Sequence, residues 1–122
     1  MKSDTKRRAP IVYASATFYD DAPNQIGSMA CIECYETVFR VIKLNWGAED
    51  DYERNKEGEV ELNWTIQGEA LERLKQICNN AQSPEAVVNY LKERFASHGR
   101  MAHHELLQWL EKKEIPYHFL EY

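Results

Sequence analysis

The sequence predicts an α+β fold, a small sheet covered by about four helices. The sheet is built from an N-terminal strand, a short strand near 60–66 and a C-terminal strand that could pair with them. Three observations lead there. Residues 11–18 and 60–66 are rich in β-branched and aromatic side chains, and the second run alternates apolar with polar. Four longer segments place apolar residues at helical spacing. The 122-residue chain is 43% hydrophobic, with three Trp, seven Tyr and four Phe, enough for one core without covalent staples.

The elements follow in order. Residues 11–18, IVYASATF, lie between Pro10 and the turn-forming Asp20-Asp21-Ala22-Pro23, which marks a strand. Residues 20–28 form a loop by their Asp, Pro, Asn, Gly and Ser content. Over 29–46, a helical wheel gathers Cys31, Ile32, Cys34, Tyr35, Val38, Phe39, Val41, Ile42 and Trp46 on one broad side. That pattern predicts an amphipathic helix, capped by Ser28 and stopped by Gly47. Its second half, 37–46, is β-branched and aromatic enough to form a strand instead. Residues 47–61 are polar and acidic, a connecting loop or hairpin. Val60, Leu62, Trp64 and Ile66 then alternate with polar residues as a strand with one buried face.

Three helices come next. The first spans about 66–80, with Ala70, Leu71, Leu74, Ile77 and Cys78 at core spacing. The second opens with Ser83 as cap and Pro84 at the first helical position, buries Val87, Val88, Leu91 and Phe95, and ends at Gly99. The third runs from about 101 to 114 and buries Ala102, Leu106, Leu107 and Leu110 before Pro116 stops it. Residues 117–122, YHFLEY, alternate as a terminal strand. Residues 1–10 read as a flexible basic tail, and 11–122 as a single globular domain.

Charge bounds the partners. The net charge is −5, but the first eight residues carry +3, which leaves −8 on the remaining 114. An acidic body argues against nucleic acid and anionic membrane, because phosphate attraction needs clustered Lys and Arg. No apolar run approaches the roughly 18 residues that span a bilayer. The N-terminus lacks the apolar core of a signal peptide, so a cytoplasmic location is expected. Three cysteines are too few for a disulfide scaffold and are expected to be reduced and mostly buried.

The candidates for chemistry are few. Cys31-Ile32-Glu33-Cys34 is a C-x-x-C that follows a predicted strand and stands early in a predicted helix. That placement resembles the thioredoxin-like redox motif, in which a helix N-terminus lowers a thiol pKa. The Ile-Glu spacer, the acidic Glu33 and Glu36, and the helices in place of a following β-α-β order all depart from it. The same pair could be half of a zinc site completed by Cys78 and one of His98, His103 or His104, with His103 the choice, though no second compact ligand pair exists. His103-His104-Glu105 is not the H-E-x-x-H spacing of a zinc protease. The helices on either side of Gly99-Arg100 have a helix-turn-helix outline, yet the second offers little positive charge for base edges. Asp50, Asp51 and Glu53 form an acidic surface that could engage a basic partner. The five glycines are dispersed, so no phosphate-binding loop exists.

These observations predict a small non-enzymatic protein-interaction or regulatory module, without cofactor, that binds another protein and could form a homo-oligomer. A thiol-redox or zinc protein using Cys31 and Cys34 is the first alternative, and a helix-turn-helix-like nucleic-acid binder the second.

Overall fold

The computed structural model describes residues 13–22, 26–47 and 59–122. Five strands occur in the order β1 (Tyr13–Asp20), β2 (Gly27–Tyr35), β3 (Val38–Trp46), β4 (Glu59–Gln67) and β5 (His118–Glu121). Between β4 and β5 lie α1 (Glu69–Ile77), α2 (Pro84–Phe95), a 3-10 segment (Ala96–Met101) and α3 (Ala102–Lys112). The strands form one sheet in sequence order, every neighbour antiparallel.

This corrects the predicted fold class. The sheet is five strands wide rather than small, and about four helices do not cover it. Helical residues fall in two stretches, 69–77 and the long run 84–112, which Gly99 (φ 58°, ψ −122°) interrupts. The error lies in the helix read over residues 29–46, which form the β2–β3 hairpin; the strand alternative for 37–46 is the one that β3 bears out. Ala30, Ile32 and Cys34 on β2 and Phe39 and Val41 on β3 are fully buried at a spacing of two, as one strand face requires. The opposite face also carries Met29, Cys31, Ile42 and Leu44, all half-buried. Apolar residues on both faces blur the alternation and mimic a wide helical stripe. The turn at Glu36-Thr37 contains no Gly, Asn or Pro, so nothing announced a hairpin.

The other helices start and stop where chemistry dictates. Ser83 is the cap of α2, its Oγ accepting the Ala86 N–H at 3.1 Å, with Pro84 in the first turn. Gly68 (φ 65°) turns the chain into α1, and its carbonyl accepts from Leu71 N–H at 3.0 Å. At Gly27 a side chain would meet Asp21, whose Cβ stands 2.6 Å from where a Cβ would sit. Only glycine permits that approach at the β1–β2 connection.

One face of the sheet carries the core. Ala30, Ile32, Cys34, Phe39, Val41 and Ile66 meet Leu71, Leu74, Val87, Leu91, Leu106 and Leu110 from the helices. Burying each such side chain contributes roughly 1.5–3 kcal/mol. α2 packs on β1 and β2, α1 on β4, and the 3-10 segment on β1. No described element covers the other face. Residues 1–12, including the expected basic tail, and 48–58 lie outside the described residues.

Candidate functional site

The C-x-x-C falls on β2, and that alone changes its chemistry. Residues three apart on a strand point to opposite faces. Cys31 sits on the open face opposite Thr17 and Ile42, while Cys34 lies under the helices opposite Phe39. All three cysteines are free. Burial, then the Glu33 and Glu61 charges, pushes the Cys31 thiol up to about 11. Burial likewise raises Cys34 to about 11 and Cys78 to about 12. A helix N-terminus does not serve either thiol of the motif, so the thioredoxin-like placement does not form.

The metal set of Cys31, Cys34, Cys78 and His103 is not assembled. Cys34 and Cys78 are in the core, Cys31 is on the far face, and His103 packs between Tyr19 (6.3 Å) and Trp64 (6.5 Å). Among the described residues no group of three or more His, Cys, Asp or Glu could hold a metal ion. Burial, helped by Lys43 and His104 and opposed by a backbone hydrogen bond at Arg100, lowers the His103 pKa to about 4. His103 is therefore a neutral packing residue at pH 7. His104 is exposed.

The helix-turn-helix outline also resolves. α3 buries Ala102, Leu106, Trp109 and Leu110, so its inner face is core. Arg100 is engaged within the fold: it pairs with Asp21 and stacks 4.8 Å from the Tyr19 ring centroid. Asp21 in turn accepts the Ser28 N–H at 2.9 Å. That bond first, and Arg100 second, hold its carboxyl below the usual carboxylate range. Asp50, Asp51 and Glu53 lie outside the described residues.

The site that the structure does assemble is a shallow cleft of about 420 Å³ on the open face, across β3, β4 and β5. Its floor is Asn63, only 6% exposed on a face that no described helix covers. The Asn63 Nδ2 donates to Glu61 Oε2 at 3.1 Å, and its Oδ1 accepts from Thr65 Oγ1 at 2.9 Å. Three polar side chains at spacing two thus form one row along β4. Arg40, His118, Leu120 and Tyr122 surround it. Arg40 reaches Glu33 at 3.9 Å and lies 5.7 Å from the Tyr35 ring, which stacks on Tyr13 at 5.0 Å.

Sequence reasoning missed this cleft. The alternation in 60–66 did set Glu61, Asn63 and Thr65 on a solvent face. The neighbours that close the cleft came from β3, read as helix, and from the β5 register, which no local pattern encodes. Chemically the row offers hydrogen-bond donors and acceptors to a polar chain, beside aliphatic surface at Ile42 and Leu120. No family model matches the chain, and neither a curated protein nor a solved structure matches it. No described helix is long and apolar enough to cross a membrane, which says nothing of β-barrels.

Proposed function

We propose that this protein is a non-enzymatic protein-binding module whose working surface is the open face of its sheet. One observation carries the reading: a five-stranded sheet whose described helices all lie on one side, its other face mixing half-buried Met29, Ile42 and Leu44 with the Glu61–Asn63–Thr65 row. Sheets of this kind usually keep a solvated face polar. An apolar stripe beside satisfied polar groups is the composition of a docking surface. The net charge of −5 favours a partner with a basic surface over nucleic acid. The three free thiols suit a reducing compartment, the cytosol.

The test is affinity capture from the native cell with the tagged chain and two variants. Ile42→Lys with Arg40→Glu alters the open face, and Glu93→Lys alters the exposed side of α2. One partner should be held by the parent and by Glu93→Lys and lost with the open-face variant. Retention by all three, or loss with Glu93→Lys alone, would move the binding surface elsewhere.

A further inference from the structure

β5 ends the sheet, and its outer side is uncovered by any described element. Phe119 is 45% and Leu120 41% exposed. Tyr122 and Glu61 exchange both backbone hydrogen bonds, at 2.8 and 3.3 Å. Alternation along an antiparallel ladder makes Leu120–Asn63 and His118–Thr65 the other bonded pairs. Phe119 stands opposite Trp64 at a non-bonded position, so its N–H and C=O point away from β4. Of the usual guards of an edge strand, β5 has its short length and the Glu121 charge, but it holds no Pro, no Lys and no bulge.

We infer that a second copy of this chain pairs with β5, antiparallel, about a two-fold axis at Phe119. Such an axis stands perpendicular to the sheet, so facing residues must point to the same side. Two registers near the strand centre satisfy this. Centring on Leu120 sets each Phe119 against the Glu121 carboxylate of the second copy. Centring on Phe119 sets the two Phe119 rings side by side. The Trp64–Phe119 contact, 5.2 Å between centroids, then extends into a row of four rings on the helix side. On the open face His118 meets Leu120 of the second copy. Centring on Leu120 also sets Leu120 against Leu120, but only the second register keeps each Phe119 ring off a carboxylate, and it joins the two Phe119 backbones by reciprocal hydrogen bonds. Pro116, just before Tyr117, limits the pairing at its N-terminal end.

The product is a ten-stranded sheet with one continuous open face. The clefts of the two copies lie on either side of the axis, each bordered by His118 and Leu120. The pairing uses the β5 edge and does not depend on a foreign partner on the open face. The two ideas also respond oppositely to salt. Screening relieves repulsion between two acidic copies and weakens attraction to a basic partner.

Sedimentation equilibrium of the purified chain, from about 1 μM to about 1 mM, tests the pairing. The mass should rise from 14.3 kDa to twice that value, more readily at high salt. Leu120→Lys, and Phe119→Pro, which deletes the outward N–H while sparing the bonds to β4, should each weaken association about tenfold or more. Circular dichroism checks that both fold; should Phe119→Pro unfold, Leu120→Lys decides. Register is read by air oxidation in a Cys31→Ser background. Phe119→Cys should crosslink, because bonded antiparallel pairs hold Cα atoms about 5.5 Å apart, and Leu120→Cys should not. A monomer at every concentration, a dimer indifferent to both variants, or faster crosslinking through Leu120→Cys would overturn the inference.

Discussion

The two edges of this sheet are built differently. β1 is eight residues long, bulged between Thr17 and Tyr19, and packed by α2 and the 3-10 segment. Its end is tied by Arg100 to Asp21 and by a 2.7 Å bond between the Tyr19 and Ser28 hydroxyls. β5 is four residues long, exposed at every residue, and laid on β4 after the last helix. One edge has become part of the core's wall; the outer side of the other is covered by no described element. The contrast shows that strand membership says little about local stability. What an edge packs against decides whether it holds the fold or offers itself to a neighbour.

Several measurements can break or sharpen that contrast. The largest effect belongs beneath β1. Leu91→Ala, in the fully buried α2 face, should cost about 2–5 kcal/mol in denaturant unfolding. Leu120→Ala on β5 should stay within about 0.5 kcal/mol under monomeric conditions. Equal losses would erase the distinction.

A second effect lies between the edges, at His103. Its folded pKa, about 4, is below the unfolded value of about 6.5. The unfolded chain therefore binds the extra proton first, and stability falls as pH drops from about 6.5 towards 4. His103→Phe should flatten that part of the melting-temperature profile; an unchanged slope would assign it to other groups.

A smaller effect concerns the tie on β1. Asp21 has a depressed folded pKa, so its contribution is present above the ordinary carboxylate range near 4 and fades as pH falls through the folded value. Asp21→Asn should lower the melting temperature slightly at pH 7 and make no difference in strong acid. Least of all, the Phe119 amide should exchange with solvent faster than any β2 or β3 amide in dilute protein, and slow as concentration rises.

Much of the helical part was legible in the sequence. Ser83-Pro84 announced α2, and Leu71, Leu74, Leu106 and Leu110 marked buried stripes, although the last helix stops at Lys112, where Glu114 turns left-handed, and not at Pro116. Of the β2–β3 hairpin only the second strand was legible, as the strand alternative for 37–46 that β3 bears out. A helix buries a stripe and a strand buries a face, and when the second face is also apolar the two patterns converge over eighteen residues. The acidic candidates Asp50, Asp51 and Glu53 lie outside the described residues. The row Glu61, Asn63 and Thr65 was legible as one strand face, but the cleft around it was not, because it exists only once three strands are in register.

The C-x-x-C has a use that has nothing to do with redox chemistry. One thiol stands on each side of the sheet: Cys31 half-exposed on the open face, Cys34 sealed beneath the helices beside Cys78. Alkylation in alkaline buffer thus yields two separate clocks in one molecule. The Cys31 clock runs in the native protein and slows when something sits on the open face. The Cys34 and Cys78 clocks start only when the core opens. A single mass-spectrometric time course reads surface occupancy and global unfolding together, with no substitution needed in the chain.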